Sequence, residues 1–390
     1  MTGFDFEHLD LARLRARRGE KWQLYGPDVL PAWVAEMDFD LAPPVRRAVE
    51  EALAVDDLGY PLERPDALRE AFAARMATRF GWTIDPRRVE VLSEVVQGLY
   101  IAIERLTGAN DGIVVQTPVY PPFSRALREL ERPLVENPLI AGSERYEMDL
   151  EGLSQASGAR MLLLCNPQNP TGRVFERREL EAVAELALAR DWIVVSDEIH
   201  SDLVHAPGHH VPFGSIAPEV AARTVTLSSA SKAFNLPGLR CAVAHFGSEA
   251  LQRRFLAMPR ALRGGLGSLG QAATLAAWRE GDAWLTALLA HLDTNRRRVA
   301  TFVAERWPAV RHAMPEATFL AWLDFRALGL EPSPQRFLLE RARVALSDGT
   351  AFGAPGRGFA RLNFGTSGAI LGEILERIDR ALEAGYLRRQ

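Results

Sequence analysis

Three short stretches of this chain each place polar side chains directly after a run that predicts a buried strand. The stretches are Asn-Pro-Gln-Asn-Pro-Thr-Gly at 166–172, Ser-Asp-Glu-Ile-His-Ser-Asp-Leu at 196–203 and Ser-Ala-Ser-Lys-Ala-Phe-Asn at 229–235. Ligands of open α/β sheets bind at the carboxyl ends of the strands, so we expect the three stretches to meet there. Together they supply amides, a carboxylate, hydroxyl groups and a lysine.

This donor set suits a phosphorylated aromatic aldehyde that condenses with a lysine amine. The serine hydroxyls and Arg240 would hold the phosphate. Asp197 would keep a ring nitrogen protonated, and Lys232 would form the Schiff base. The chain has only two lysines, Lys21 and Lys232, so chemistry that needs a lysine has two candidates. Each stretch taken alone is equally compatible with a turn, a helix cap or a capped loop.

Composition and charge exclude several classes of protein. The 390 residues carry 46 basic and 50 acidic side chains, and a net charge of −4 argues against a nucleic-acid binder. No apolar run approaches the roughly 18–20 residues needed to span a bilayer, and the first residues do not resemble a signal peptide. Two cysteines, Cys165 and Cys241, are too few for a disulfide framework. We therefore expect a globular cytoplasmic protein without a membrane or nucleic-acid partner.

The elements that must position these side chains alternate between strand and helix. The spacing of apolar residues at 176–190 predicts an amphipathic helix. Five short apolar runs predict strands that are buried on both faces. These runs lie at 112–117, 160–166, 192–197, 223–228 and 241–246. The alternation indicates an α/β domain with a mostly parallel sheet.

The two ends of the chain follow other patterns. Residues 269–306 predict one or two long helices, and later strands near 318–325 and 361–364 alternate with helices near 335–343 and 370–384. This mixture predicts a second, smaller α+β domain. The first 45 residues carry four prolines and little periodicity, which predicts an extended arm. We expect an arm at 1–46 that belongs to the small domain, a large cofactor-binding domain at 47–287 and a small domain at 288–390.

The three polar stretches resemble the fold-type I pyridoxal 5′-phosphate (PLP) enzymes of the aminotransferase class I/II superfamily. Further motifs resemble the MalY/PatB-type cystathionine β-lyase or C–S lyase subgroup. They are Lys-Trp at 21–22, Leu-Pro-Ala-Trp-Val-Ala-Glu-Met-Asp-Phe at 30–39, Gly-Tyr at 59–60 and Thr-Pro-Val-Tyr-Pro-Pro-Phe at 117–123. The resemblance covers nearly the whole chain. It implies the aspartate aminotransferase fold with a seven-stranded, mostly parallel sheet, a PLP cofactor and a small amino-acid substrate.

The resemblance also implies roles for individual residues. Lys232 matches the Schiff-base lysine, and Asp197 matches the aspartate that pairs with the pyridine nitrogen. Asn169 matches the asparagine that contacts the 3′-oxygen of the ring and approaches the substrate carboxylate. Tyr120 matches the aromatic residue that stacks on the ring, and Arg361 matches the arginine that binds the substrate α-carboxylate.

A second group of matches surrounds the phosphate and the 3′-oxygen. His200 stands near the 3′-oxygen, where aminotransferases commonly have tyrosine, and this favours the lyase subgroup. Ser229, Ser231 and Arg240 match positions around the phosphate. The phosphate should also face three backbone amides at a strand-to-helix turn. These amides belong to Val95, Val96 and Gln97.

Other residues complete the expected site. Tyr60 matches a catalytic tyrosine that reaches the site of the neighbouring subunit, so the resemblance implies a homodimer. Ala35 is expected beside the substrate, whereas Lys21 is expected to be a surface or packing residue. No metal is expected, because the histidines in the loop at 205–210 lack the spacing of metal ligands.

Three functions remain open from the sequence. The arm motif, His200 and the segment around Tyr120 favour a C–S β-lyase that acts on cystathionine or another cysteine S-conjugate. Arg240 favours an aminotransferase, and so does the sequence Asn-Phe-Gly-Thr-Ser that comes shortly after Arg361. The third is a regulator that acts by protein contact, since one subgroup member also represses a transcription activator. The intact lysine, aspartate and arginine set argues against a purely binding role.

Overall fold

A computed structural model describes residues 3–142 and 144–387 of the chain. Its strands, in chain order, are β1 (Leu30–Pro31), β2 (Val89–Leu92), β3 (Gly112–Val115), β4 (Leu134–Glu136), β5 (Ile140–Ala141), β6 (Tyr146–Glu147), β7 (Ala159–Cys165), β8 (Ile193–Asp197), β9 (Thr224–Ser228), β10 (Ala242–Phe246), β11 (Arg311–His312), β12 (Leu320–Asp324), β13 (Val344–Ala345), β14 (Ser347–Asp348) and β15 (Phe359–Asn363).

Helices separate most of these strands. In chain order they are α1 (Leu11–Arg15), α2 (Glu20–Gln23), α3 (Pro43–Ala54), α4 (Asp66–Phe80), α5 (Val95–Leu106), α6 (Pro122–Glu129), α7 (Leu150–Ser154), α8 (Arg177–Ala189), α9 (Pro218–Ala221), α10 (Glu249–Leu256), α11 (Ser268–Glu280), α12 (Asp282–Arg306), α13 (Pro334–Arg341) and α14 (Gly368–Leu387). Within the described residues, no helix combines the length and apolar character needed to cross a membrane.

The large sheet confirms the expected fold. It has seven strands in the order β2-β10-β9-β8-β7-β3-β4, and all neighbours are parallel except those of β10. All five predicted strands are present within two residues of their expected ends. Separate apolar clusters cover the two faces of the sheet, which explains why these strands are apolar without alternation. No bounds were predicted for the short edge strands β2 and β4, although a strand was expected before the turn at Val95.

The last third of the chain forms the expected mixture of helices and strands. The predicted long helical region is two helices, α11 and α12, which Gly281 separates. A Cβ at Gly281 would lie 2.4 Å from the ring of Phe234, so this break also lets the two helices pack against the core. Strands β11, β12, β15 and β14 form an antiparallel sheet. This sheet carries Arg361 on its strand β15.

The N-terminal arm is less extended than the sequence suggested. It contains the short helices α1 and α2, and Asp10 caps α1 by accepting hydrogen bonds from two backbone amides. Strand β1 pairs in parallel with β13, which joins the arm to the last third of the chain. Lys21 of α2 was expected at the surface or in packing, and the structure buries it to 2% exposure.

Candidate active site

The carboxyl ends of β7, β8 and β9 lie side by side at one edge of the large sheet. Cys165 at the end of β7 is in register with Asp197 at the end of β8, and Asp197 is in register with Leu227 of β9. The backbone N–H of Asn166 donates to the Asp197 carbonyl at 3.0 Å. The three polar stretches therefore begin at adjacent strand ends, where Asn169, Asp197 and Lys232 were expected to meet.

Lys232 lies half-buried at this edge. Its Nζ donates to the backbone carbonyl of Ala35 at 2.9 Å, which brings the N-terminal arm into the site. Burial, followed by the nearby Arg361 cation, lowers the pKa of Lys232 from 10.5 to about 8. The carboxylates of Glu36 and Asp197 oppose this change. A sizeable fraction of the amine is therefore neutral near pH 7.5, as a nucleophile or general base requires.

Asp197 is a buried carboxyl without a cationic contact. Burial raises its pKa from 3.8 to about 7, against a hydrogen bond from the Ile199 N–H at 3.1 Å. The neighbouring Glu198 raises the pKa further, and Lys232 lowers it. Among the described residues, no ion pair involves Asp197, whereas Glu198 pairs with His210 at 2.9 Å. A cation placed against Asp197 would restore its charged form.

His200 is a buried, neutral imidazole in the same site. Burial lowers its pKa to about 3, and the Lys232 and Arg361 cations contribute. Its Nδ1 is buried and has no hydrogen-bond partner in the part of the chain that the structure describes. An imidazole in this state can donate or accept a hydrogen bond without carrying charge at neutral pH.

Arg361 reaches the site from the small sheet. Its Nη1 donates to Oδ1 of Asn169 at 2.9 Å, and its Nη2 donates to the Trp33 carbonyl at 2.9 Å and to Oγ of Ser347 at 3.1 Å. Its Cζ lies 4.9 Å from the centre of the Phe352 ring. Burial lowers its pKa from 12.5 to about 10, which leaves the guanidinium charged at neutral pH. These contacts orient a planar cation for two-pronged binding of a carboxylate.

Tyr120 and the two serines lie near these groups. Tyr120 is half-buried, and burial raises its pKa, whereas the Arg361 cation opposes this change. The Ser229 hydroxyl donates to the Cys241 carbonyl at 2.6 Å and accepts from the Ser231 N–H at 3.0 Å. Ser229 thereby shapes the loop that carries Lys232.

The expected phosphate position lies at the N-terminus of α5. Val95, Val96 and Gln97 form its first turn, where backbone N–H groups have no partner within the helix. Such a helix end binds anions. Glu94 precedes the helix and forms an ion pair with Arg240, whose side chain is exposed. The structure therefore places Arg240 beside this helix end, although it engages a carboxylate there.

Two predicted residues have other surroundings. Tyr60 is fully exposed on the chain between α3 and α4, and its role at a neighbouring site stays a prediction. Asn166, the first residue of the 166–172 stretch, holds the loop after β7, since its Oδ1 accepts from the Phe175 N–H at 3.1 Å. Of the loop histidines, His205 donates from Nε2 to the Thr318 carbonyl at 2.8 Å, and His210 pairs with Glu198.

Sequence reasoning missed several residues that touch the site. Trp33, Ser347 and Phe352 all contact Arg361. Asn235 lies three residues after Lys232 and binds the arm at Met37. Its spacing from Lys232 was a usable signal, whereas nothing in the sequence links Ser347 or Phe352 to residues near the N-terminus.

Comparison with known proteins identifies the family. Residues 34–378 match the family described as aminotransferase class I and II, which is most of the chain. This chain belongs to the aminotransferase class I and II family. The prediction of that superfamily from the three polar stretches is confirmed.

Relatives within the aminotransferase class I and II family narrow the similarity further. The chain is 36% identical to the cystathionine beta-lyase PatB of Bacillus subtilis, over 93% of this chain and 96% of PatB. It is 35% identical to the cystathionine beta-lyase of Corynebacterium glutamicum, over 96% and 99% of the two chains. The structure of the PLP-bound C-S lyase from Staphylococcus hominis superposes with a TM-score of 0.91 at 28% identity, covering 97% and 99% of the chains. The expected similarity to the PatB-type lyases is confirmed.

Proposed function

We propose that this protein is a PLP-dependent C–S β-lyase that cleaves L-cystathionine or a related cysteine S-conjugate. The buried Lys232 amine, whose pKa burial lowers to about 8 and which lies at the strand ends with Asp197, supports PLP-dependent chemistry. The observation that carries the choice of a lyase is the full-length similarity to two cystathionine β-lyases. In the net reaction the Cβ–S bond breaks and the sulfur leaves as a thiol. Water is consumed, and the remaining carbon skeleton is released as pyruvate with ammonia.

The residues present fit the cofactor. Asp197 is a buried carboxyl without an ion-pair partner in the described residues, which suits a protonated pyridine nitrogen. Two buried nitrogens, Nδ1 of His200 and Nε of Arg361, have no hydrogen-bond partner among the described residues. Polar groups of a bound ligand would supply such partners. The first turn of α5 offers N–H groups for a phosphate. When bound, PLP supplies an electron-withdrawing ring that takes up the electron pair left when a Cα proton is removed.

This chain's own residues supply the remaining steps. Arg361 binds the substrate α-carboxylate through two N–H donors and thereby orients the Cα–H bond. The neutral Lys232 amine takes the Cα proton as a general base. Asp197, charged when a cation lies against it, holds a proton on the ring nitrogen. Tyr120 would stack on the cofactor ring, and the neutral imidazole of His200 would hydrogen-bond its 3′-oxygen without adding a charge.

An aminotransferase is the alternative, and Arg240 is the observation that favours it. Both reactions begin with removal of the same Cα proton, so Lys232, Asp197 and Arg361 do not distinguish them. Arg240 stands beside the N-terminus of α5, in a position to contact a phosphate if it leaves Glu94. The lyase proposal is preferred because the full-length relatives named above are cystathionine β-lyases.

The proposal extends to assembly, location and domain division. We infer a homodimer in which Tyr60 completes the neighbouring site, because an exposed tyrosine lies in an apolar surface with Val55, Leu58 and Leu62. We place the protein in the cytoplasm, because both cysteines are buried and free. The division at 1–46, 47–287 and 288–390 is supported by the pairing of β1 with β13, which ties the arm to the C-terminal part.

A product assay on the PLP-loaded protein tests the function. One reaction receives L-cystathionine, and others receive L-alanine or L-aspartate with 2-oxoglutarate. We expect pyruvate and free thiol from cystathionine and no glutamate in the other reactions. Glutamate formation without thiol release would replace the lyase by the aminotransferase. A lack of product in every reaction would contradict cystathionine as substrate and direct the search to other cysteine S-conjugates.

A further inference from the structure

The second lysine of the chain lies in a buried ion pair of the N-terminal arm. Lys21 and Asp38 are each 2% exposed, and their Nζ and Oδ1 atoms are 2.8 Å apart. The indole Nε1 of Trp22 donates to the same Oδ1 of Asp38 at 2.9 Å. Lys21 also donates to the backbone carbonyl of Glu36 at 2.8 Å. A buried, hydrogen-bonded charge pair holds its geometry tightly, because either charge alone would be costly to bury.

The segment that this ion pair holds, residues 33–38, faces the candidate active site. The carbonyl of Ala35 accepts a hydrogen bond from Nζ of Lys232 at 2.9 Å. The carbonyl of Trp33 accepts from Nη2 of Arg361 at 2.9 Å. Two backbone oxygens of the 33–38 segment therefore contact the amine and the guanidinium that the proposed reaction needs.

The 33–38 segment lies outside the helices and strands, so its backbone groups need other partners. The Glu36 N–H donates to the Val34 carbonyl at 2.8 Å, the Asp38 N–H donates to the Gly365 carbonyl at 2.9 Å, and side chains bind further groups. Asn363 donates to the carbonyls of Val34 and Glu36, at 2.6 and 2.7 Å. Asn235 both donates to and accepts from the backbone of Met37, at 2.8 and 2.9 Å. These asparagines hold the segment from the side of the two sheets.

Lys21 holds the segment from the arm helix α2, through the side chain of Asp38 and the carbonyl of Glu36. We propose that Lys21, through its buried ion pair with Asp38, is a positioning residue that fixes the 33–38 segment against Lys232 and Arg361. The effect of Lys21 on catalysis rests on the proposed function. The placement of the Lys232 amine, however, can be measured without cofactor or substrate.

The test measures how Lys232 titrates in the full-length, cofactor-free protein. Amine labelling with acetic anhydride is followed from pH 6 to 11 by mass spectrometry after cleavage at arginine. The two lysines then lie on different peptides, 19–46 and 224–240. The variant is K21M/D38N, which removes both charges and leaves an amide oxygen for Trp22. Burial is the largest cause of the low pKa of Lys232, so a loosened segment admits water and raises its labelling midpoint by about one pH unit or more.

A matched control separates positioning from general stability. Asp379 is buried and accepts from Nε1 of Trp307 at 3.0 Å and from Arg306, where α12 and α14 meet, so it resembles Asp38 in having an indole and a cationic partner, although Arg306 is 52% exposed. R306M/D379N should lower the urea midpoint of unfolding and leave the Lys232 labelling midpoint unchanged. A labelling midpoint that stays at the wild-type value in folded K21M/D38N would overturn the proposal.

A milder variant and a kinetic measurement complete the test. Trp22→Phe removes a single hydrogen bond to Asp38 and should move the Lys232 midpoint in the same direction by less, even if the double variant fails to fold. In the elimination assay, K21M/D38N should lower kcat by roughly tenfold to a hundredfold and raise KM, because both the base and the carboxylate site move. A change in unfolding midpoint alone, with kcat and KM preserved, would make Lys21 merely structural.

Discussion

Replacing Arg361 with glutamine is the most direct perturbation of the proposed substrate site. The guanidinium is buried and held by Asn169, the Trp33 carbonyl and Ser347, so it is oriented before any substrate binds. With a pKa of about 10 it is charged in nearly every molecule at pH 7.5. Glutamine keeps a polar amide at this position, so the substitution removes the charge and the paired donors of the guanidinium.

The expected loss follows from the number of charge-assisted hydrogen bonds. A carboxylate bound through two N–H donors of one guanidinium gains about 1.5–3 kcal/mol from each bond. Loss of both, about 3–6 kcal/mol, lowers kcat/KM by roughly 10²- to 10⁴-fold, since each 1.36 kcal/mol is a factor of ten. Arg361→Lys should lie between wild type and Arg361→Gln, because an ammonium keeps the charge but not the planar pair of donors.

The assay compares two substrates on the PLP-loaded enzyme. One is L-cystathionine, and the other is an S-conjugate of cysteamine, which lacks the α-carboxylate. We expect Arg361→Gln to lower kcat/KM strongly for cystathionine. The ratio of kcat/KM for cystathionine to kcat/KM for the cysteamine conjugate should therefore fall, or reach one. Arg326→Gln is the matched control, because its Cζ lies 4.8 Å from the Phe359 ring in the same aromatic cluster but outside the site.

Two results would refute this reasoning. An unchanged kcat/KM for cystathionine in folded Arg361→Gln would show that another group binds the carboxylate. An equal loss for both substrates would show that Arg361 acts through the fold of the site and not through the α-carboxylate. Thermal unfolding of each variant establishes that the comparison is made between folded proteins.

Three further predictions concern the cofactor and stability. Lys232→Ala should abolish the visible absorbance of covalently bound PLP, and persistence of the band would exclude Lys232 as the attachment point. Burial raises the pKa of Asp197 from 3.8 to about 7, so the folded chain binds more protons than the unfolded chain between these values and loses stability as pH rises through them. Cofactor-free Asp197→Asn should therefore be more stable than wild type in urea at pH 8, by roughly 3–5 kcal/mol. The difference in stability should shrink toward pH 4, and equal stability of the two proteins at pH 8 would contradict the raised pKa of Asp197. Gly247→Ala should destabilise the fold by more than about 3 kcal/mol in urea, because its Cβ would lie 1.6 Å from the Ala221 carbonyl oxygen. Gly238→Ala is the control and should cost under about 1 kcal/mol, because the space that its Cβ would occupy is open.

Much of the fold could be predicted because it follows local patterns. The five central strands are apolar on both faces, so each stands out as a short run, and the helix α8 shows its amphipathic spacing. Strand β4 was missed, and β2 was expected only as an unbounded strand before the turn at Val95. Strand β4 is three residues long and mostly exposed, so its composition differs little from that of a loop. The helices of the arm were missed because α1 and α2 are only five and four residues long and have little periodicity.

Some residues of the candidate site could likewise be predicted from local motifs, and others could not. The sequence alone was enough to select Lys232, Asp197 and Asn169, because each follows a recognisable strand within a short polar motif. Arg240 was selected on its spacing from Lys232, but its ion pair with Glu94 depends on how β10 and α5 pack. Lys21 lacked any local signal of burial, and its contact with Asp38 spans 17 residues with little regular structure besides β1.

The amino-acid sequence by itself determined the chemical types at the site, the order of the central strands along the chain and the family to which the chain belongs. Only the tertiary structure decided which groups touch. Arg361 meets Trp33 across 328 residues and Lys232 meets Ala35 across 197. It also decided the protonation of the site, since the pKa values of Lys232 and Asp197 depend first on burial. Burial is a property of the packed molecule, and no local stretch of sequence contains it.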